Sequence, residues 1–568
     1  MSAPVPARAS FREATARRRL AALLDPGSLV ERVGPAERVT SPHLAALGLP
    51  VAFDDGVIVA DGRLDGLPVV AAAQEGAFMG GSVGEVHGAK LVGVLRRARR
   101  VGARAALLLA DSGGVRLQEA NAGLVAVSEV MRAVLETRAA GIPVIALVGG
   151  AWGCFGGMGI VARCCDAVVM SEEGRLGLSG PDVIETTRGV EELDASDRAL
   201  VWRTYGGKHR FILGEADLLV EDDPAAFRAA AIALARRPRP LELEPLAREQ
   251  ARLEARVAAL GGCADAADAW ALAGVADPAR LPLLDAAAFL EAVAGARASL
   301  AAAAGHAPPP GSPSPASPLG AAELRARAGE ATRHVDPGLD ALFPAGHAVY
   351  AQGGILRGVA RGPEGDVAVL GSVGGAELGV EGALALAAEV LRTVREHPGR
   401  PVLALVDSRG QRMSRRDELL GLNGLLGHLA ACVELARRRG HRIQALVRGD
   451  AVSGGVLPLG FMADEIAAVE GANPWVMSLP AMARVTKLPI DRLETLSRTS
   501  PVLAPGLGGF LRLGAIGAVW QPPLDVALAA AGGAPAGPDA RAERGLARGG
   551  RLLAAPVADR VAGGTGDA

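Results

Sequence analysis

Aromatic side chains are nearly absent: they make up 3% of the 568 residues, and only 2 are tyrosine. A core must then be assembled from Ala, Val and Leu, with 75 glycines marking turns and close backbone approaches. Cysteine is scarce too, at five, which is too few for a disulfide framework at this length. Cys164 and Cys165 are adjacent and no CxxC pair exists, so a zinc ribbon is not expected and no metal site is assigned. No excess of either charge is present, since 60 basic and 62 acidic residues leave −2. That balance excludes a globally basic coat, and no nucleic-acid partner is expected. No apolar segment follows the arginines at 8, 12, 17, 18 and 19, so no signal peptide is read there. The charge-free run from Ala139 to Ala162 holds Pro143 and many glycines. It reads as a buried strand, a Gly-rich turn and a helix rather than a membrane span. A cytoplasmic protein without a membrane partner is expected.

What is present is a pattern that occurs twice. Residues 301–325 are a Pro/Ala/Ser-rich linker, AAAGHAPPPGSPSPASPLGAA at their centre, and cannot form a core. They separate a first domain, 1–300, from a second, 326–568. The first ends in a helical segment at about 226–300, rich in good helix formers and i,i+4 charge pairs. The tail beyond Leu528 is rich in Ala, Gly and Arg, and loose structure is expected there.

In the first half AALLLAD (105–111), PVIALVG (143–149) and AVVMS (167–171) read as buried strands. In the second, PVLALVD (401–407), RIQALVR (442–448) and EIAAVE (465–470) take their places. Strands apolar on both faces and separated by helices imply a layered α/β fold. Gly-Ser-Val-Gly occurs at 81–84 and 371–374, Asp-Ser at 111–112 and 407–408, and Gly-Gly at 156–157 and 454–455. The spacing drifts slowly between the halves, as expected of two related domains.

Each Gly-Gly pair follows a strand and opens an apolar helical run. Amides exposed at a helix start can hold a developing oxyanion, so Gly156, Gly157, Gly454 and Gly455 are the catalytic candidates. A packing turn is the plainer reading of either pair alone. Gly157-Met-Gly-Ile-Val-Ala162 imitates a dinucleotide fingerprint, but the preceding strand ends too far upstream. Gly80-Gly-Ser82-Val-Gly84 imitates the nucleophile elbow of hydrolases, although QEGAFM separates it from its strand. The alternative is an anion- or thioester-binding turn made by Gly81, Ser82 and Gly84, or an ordinary cap. His87 could relay a proton, or merely bond a backbone carbonyl. Ser112, Gly113 and Gly114 in the next turn, Lys208 in Lys-His-Arg, and Arg409 and Gln411 complete the set of thioester-binding candidates. Lys208 is alternatively part of a solvated loop. Walker A, HExxH and biotinyl-lysine sequences are all missing.

FMGGSVGEVHGAKL (78–91), DSGGVRLQE (111–119) and VMSEEGRLGLSGPDVIE (169–185) resemble the carboxyltransferase domain of acyl-CoA carboxylases and decarboxylases. WRTYGGKHRFILGEADLLVED (202–222) narrows this to the β subunit of malonate decarboxylase. SVGGAELGVEGALALAAEVL (372–391), DSRGQRMSRRDELLGLN (407–423) and NPWVMSLPAMARVTKL (473–488) resemble its γ subunit. The single chain, the linker and the helical segment depart from that pattern. The resemblance implies two homologous crotonase-like (ClpP-type) carboxyltransferase domains of repeated β-β-α units. It implies biotin-independent decarboxylation of malonyl-S-acyl-carrier protein to acetyl-S-acyl-carrier protein and CO2. Gly156 and Gly157 would hold the enolate; Gly454 and Gly455 are carried over only as neighbours of the site. No cofactor is expected on this chain, the CoA-derived prosthetic group residing on a separate acyl-carrier-protein subunit. An acetyl-S-ACP:malonate ACP transferase subunit is the other implied partner, and a homo-oligomer is left open. A malonyl-S-ACP:biotin-protein carboxyltransferase and a non-catalytic carrier-protein scaffold are the alternatives.

Overall fold

The computed structural model describes residues 9–305, 338–532 and 537–563. Helix Ala286–Gly305 runs into the stretch read as linker, and the remainder of that stretch lies outside the described residues.

The first half carries one seven-stranded sheet in chain order. Its strands are β1 (Val30–Arg32), β2 (Val57–Leu64), β3 (Leu67–Gln74), β4 (Ala105–Ala110), β5 (Val144–Val148), β6 (Ala167–Ser171) and β7 (Leu218–Val220). The first three pair antiparallel and β3 to β7 run parallel. The second half repeats the plan with β8 (His347–Gln352), β9 (Ile355–Gly362), β10 (Gly365–Ser372), β11 (Val402–Ser408), β12 (Ile443–Val452), β13 (Glu465–Val469), β14 (Asn473–Trp475) and β15 (Ala518–Trp520). There β14 pairs beside β13 on β12, off the main path. All six runs expected to be strands are strands. Every residue of β4, β5 and β6 is buried, as parallel strands covered on both faces require.

Beyond each long strand the chain touches a second, narrow ladder before entering a helix. Val83 bridges Val115, Ser112 bridges Cys154, and Cys154 bridges Leu176; Leu378 bridges Gln411 in the other half. Helices Glu85–Val101, Ala120–Ala139 and Gly157–Cys164 follow these contacts. Strand, short strand and helix thus recur as the β-β-α turns of a crotonase-like spiral, once in each domain.

Hydrogen bonds fix the register between the halves and correct two of the motif alignments. Val83 donates to Gly114 O, and Arg116 to Val83 O; Leu378 donates to Gly410 O, and Arg412 to Leu378 O. Glu75 N reaches Gly56 O as Val373 N reaches Gly354 O. The second Gly-Ser-Val-Gly, 371–374, therefore ends β10 and matches 73–76, not 81–84. The counterpart of Gly84 is Gly379: both precede a helix in extended conformation, and a Cβ on either would strike a carboxylate, that of Glu119 or Asp417. The Gly-Gly pairs are likewise offset by one. The positive-φ residue at the helix entrance is Gly156, φ 58°, in the first half and Ser453, φ 45°, in the second. Gly157 thus corresponds to Gly454, and Gly455 to Met158.

The two halves pack on one another within the chain. Glu418, on helix Arg415–Leu419 of the second half, accepts the amides of Leu178 and Ser179 in the first. In return Glu215 of the first half lies so close to the start of helix Leu422–Arg438 that a Cβ on Gly424 would stand 2.0 Å from its Oε1. Helices Pro224–Leu234, Leu243–Leu260, Ala266–Leu272 and Ala286–Gly305 lie in the segment read as helical. It adds to the joint, because Gln250 donates to Leu384 O and pairs with His428.

The described residues of the tail are not loose. Helices Leu524–Gly532, Arg541–Ala547 and Ala554–Ala562 form there, and the last lies along Glu85–Val101. Arg551 makes a buried bidentate pair with Glu129, and Arg541 donates to Ser128 Oγ. Composition alone missed this because Glu129 and Ser128, which these arginines reach, lie in the other half.

Candidate active site

The glycine candidates gather where the halves meet. Helix Gly157–Cys164 starts after a short run in which Phe155 N donates to Ser112 O. Gly156 backs directly onto Gly114, since a Cβ on Gly156 would stand 2.9 Å from Gly114 Cα. Its amide is consumed by Leu178 O at 2.7 Å. Of this pair Gly157, the buried first residue of the helix, has an amide with no acceptor among the described residues. A Cβ on Gly157 would meet Val127 Cγ1 at 2.4 Å, so its side-chain direction faces the helix behind it, not the open end.

The turn that supports Gly114 is pinned by Arg116, which is 1% exposed. Its guanidinium binds Asp55 at 2.9 Å and Glu119 at 2.8 Å. Burial among these charges, against the pull of Arg116, pushes the Asp55 carboxyl up to about 6. Gly114 N bonds Ser112 Oγ and Gly113 N bonds Gly80 O. Gly81 is forced by packing: a Cβ there would be 1.8 Å from Asp111 O. These residues shape the site through their backbones, and the amides of Gly113 and Gly114 are already used.

In the second half Gly454 N donates to Gln411 Oε1 at 3.0 Å. Gly455 packs on Ser408 Oγ and Gly410. Gln411 Nε2 reaches back to Ser179 Oγ of the first half at 3.4 Å. Ser179 is held by Glu418 at its amide and by Tyr205 Oη at its carbonyl. Burial raises the Glu418 carboxyl to about 7, against the opposing pull of the two amides it accepts. Leu178, Ser179 and Glu418 thus join the helix starts of the two halves, and sequence reasoning missed all three. Arg409 is exposed beside Gly410, and nothing among the described residues binds its guanidinium.

Other candidates fall away from this place. Ser82 Oγ donates to Met79 O at 2.5 Å, and its relaxed backbone, φ −72° and ψ 149°, is not a nucleophile elbow. His87 is fully buried between Asp55 O and the Gln74 amide, and burial drives its pKa well below the ordinary value. Both of its ring nitrogens are engaged inside the core, at Asp55 O and Gln74 Nε2. Lys208 spends all three ammonium donors on Glu172, Pro282 O and Leu284 O, which leaves none for a phosphate and contradicts a solvated loop. Its neighbours tie the halves together: His209 pairs with Leu419 O and Arg210 with Glu418 O. Among the described residues no group of three His, Cys, Asp or Glu could hold a metal ion, and no helix is long and apolar enough to cross a membrane.

Comparison with known proteins agrees with this two-part architecture. Residues 12–256 match the carboxyl transferase domain, and residues 374–565 match the malonate decarboxylase gamma subunit. The malonyl-S-ACP:biotin-protein carboxyltransferase MADC of Malonomonas rubra is 41% identical over 293 residues, 48% of this chain and 92% of that protein. Its companion MADD is 36% identical over 148 residues, 24% of this chain and 51% of that protein. A solved Pseudomonas malonate decarboxylase hetero-tetramer in complex with malonate is 44% identical, with a TM-score of 0.42, covering 47% of this chain and 98% of that one. The chain belongs to the malonate decarboxylase family of carboxyltransferase-type enzymes, with two subunit-like parts on one polypeptide.

Proposed function

We propose that the chain is a carboxy-lyase that converts malonyl-S-acyl-carrier protein to the acetyl thioester and CO2. The observation that carries this is the Gly157 amide, which stands at a helix start without an acceptor among the described residues, next to a junction formed by both halves. Breaking the bond between the methylene and the carboxylate releases CO2 and leaves its electron pair as a thioester enolate. The enolate oxygen takes the Gly157 N–H; loss of one such donor typically costs about 3–4 kcal/mol of transition-state stabilisation. A proton then adds to the methylene carbon, so one proton is consumed per CO2 released. Low polarity around Phe155 and Val127 favours the spread charge of the enolate over the compact carboxylate. The substrate arrives on the CoA-derived arm of a separate carrier protein, and Arg409, exposed and unpaired among the described residues, is a cation available to its phosphates.

The relatives' printed names support a second reading, transfer of the carboxyl group to a biotin protein. Purified chain given malonyl-carrier protein should release CO2 without a biotin protein and without inhibition by avidin. Release that depends on a biotin protein would establish transfer instead, and no release with authentic carrier would leave the scaffold.

A further inference from the structure

A cavity lies at the opposite end of the helix that Gly157 opens. Arg163 stands near the close of helix Gly157–Cys164, about 9 Å from Gly157 at 1.5 Å per residue. The cavity there has a volume of about 400 Å³, within the range of small-molecule sites. Residues of the first half, from that helix and from the start of helix Leu243–Leu260, form one wall. Gly424, Gly427, His428 and Ala431 of helix Leu422–Arg438 close it from the second half.

Arginine dominates the lining. Arg138, Arg163, Arg239, Arg252 and Arg256 accompany three carboxylates, those of Asp166, Asp217 and Glu249. Glu215, outside the lining, offsets one more charge at 3.3 Å from Arg256. His428 adds none. Its Nε2 pairs with Gln250 Oε1, the amide nitrogen of Gln250 being committed to Glu254 and Leu384 O, and burial lowers the imidazole to about 4. Positive charge is therefore in excess. The guanidiniums are also short of acceptors. Arg163 gives Nη1 to Glu215 O, but its Nε and Nη2 stand 3.9 Å from Glu215 and Glu249, beyond hydrogen-bond reach. The Nε groups of Arg163 and Arg256 are buried without a hydrogen-bond partner. Burial lowers Arg256 to about 10, and Arg252 adds to the fall against the pull of Glu215. Against burial, Arg252 and Arg163 hold the Glu249 carboxyl well below its ordinary value. Both shifts are those expected where cations outnumber anions.

We propose that this cavity binds a small oxyanion, a phosphate or a dicarboxylate, that bridges the two halves. The anion supplies acceptors that the arginines lack, with Arg239 exposed and Arg252 half-buried on the way in. Carboxylate and phosphate both match the paired N–H groups of a guanidinium fork. Because the walls come from both halves, occupancy stabilises their union. The site is apart from the Gly157 junction and stands whichever way the carboxyl group goes.

Calorimetric titration of the full chain with inorganic phosphate and, separately, with malonate tests this, at an ionic strength held constant with chloride. At least one of the two should bind saturably and raise the melting temperature as its concentration rises. Tighter binding of phosphate would assign a phosphate group to the cavity, and tighter binding of malonate a dicarboxylate. Arg252→Gln should weaken that binding at least about tenfold, as loss of a charged hydrogen-bonding group does. Arg239→Ser should weaken it at least about threefold, and carries the comparison if Arg252→Gln unfolds. Arg395→Ser, which removes an exposed arginine on helix Val380–Glu396, should leave it unchanged. Saturable binding by neither anion would overturn the proposal. So would binding that both cavity variants retain in full, since the anion would then sit elsewhere.

Discussion

Glu418 Oε1 accepts the amide hydrogen of Ser179 at 2.6 Å, across the boundary between the two halves. The same carboxylate takes the amide of Leu178, whose own carbonyl holds Gly156 in place. One acidic side chain of the second half therefore sets the position of the first-half helix start.

Its titration gives a pH signature. Burial raises Glu418 from 4.5 to about 7. Between those values the folded protein keeps a proton that the unfolded chain has released, so this group disfavours folding increasingly as pH rises through the window. The swing is about 3 kcal/mol and levels off above about pH 7. The stability of wild type relative to Glu418→Gln should thus fall between pH 5 and 7, then run parallel. Melting curves at matched pH would check it; a constant gap throughout would rule Glu418 out as the source.

Gly157→Ala should overpack Val127, lowering stability by about 1–3 kcal/mol and depressing turnover. Adding Val127→Ala should restore both, because alanine retains the amide. A doubly substituted enzyme that is stable but inactive would show that the glycine is required for some reason other than this contact.

Ser82→Ala removes one hydroxyl bond to Met79 O and should cost about 1 kcal/mol while leaving most activity. Mass spectrometry should find no acyl group on Ser82 during turnover. An adduct there would replace the enolate mechanism with a covalent one.

The sequence showed strands and the existence of a duplication far better than their register. Apolar runs such as AALLLAD are buried on both faces, and that pattern has one structural meaning. Gly-Ser-Val-Gly misled because four small residues satisfy both a strand end and a helix approach. The Gly-Gly pairs misled because Ser453 holds the positive φ that glycine holds at Gly156. Lys208, His209 and Arg210 looked like surface charge, yet their acceptors come from residues distant in the chain. Only three-dimensional pairing shows that the Gly156 amide is occupied, while the Gly157 amide has no acceptor among the described residues.

Glu129→Ala should leave Arg551 buried without its carboxylate, at a cost of about 3–5 kcal/mol. Urea unfolding would measure it. A loss below about 1 kcal/mol would mean that water reaches the arginine.

Coexpressed fragments 1–310 and 318–568 should copurify and decarboxylate, whereas each alone should be inactive. Glu418 and Glu215, each inserted into the opposite half, supply reciprocal grips that do not pass through the linker. Full activity from the first fragment alone would remove the second half from the site.

The final helix, Ala554–Ala562, closes over Glu85–Val101 so tightly that a Cβ on Gly93 would stand 2.6 Å from Ala558 O. Glu85 meanwhile accepts the amides of Leu553 and Ala554. That face of the helix Glu85–Val101 is covered by residues far from it along the chain. A nascent chain holding only the first domain presents it bare, with Glu85 short of two donors. Residues of the second half are thereby part of what seals the first domain.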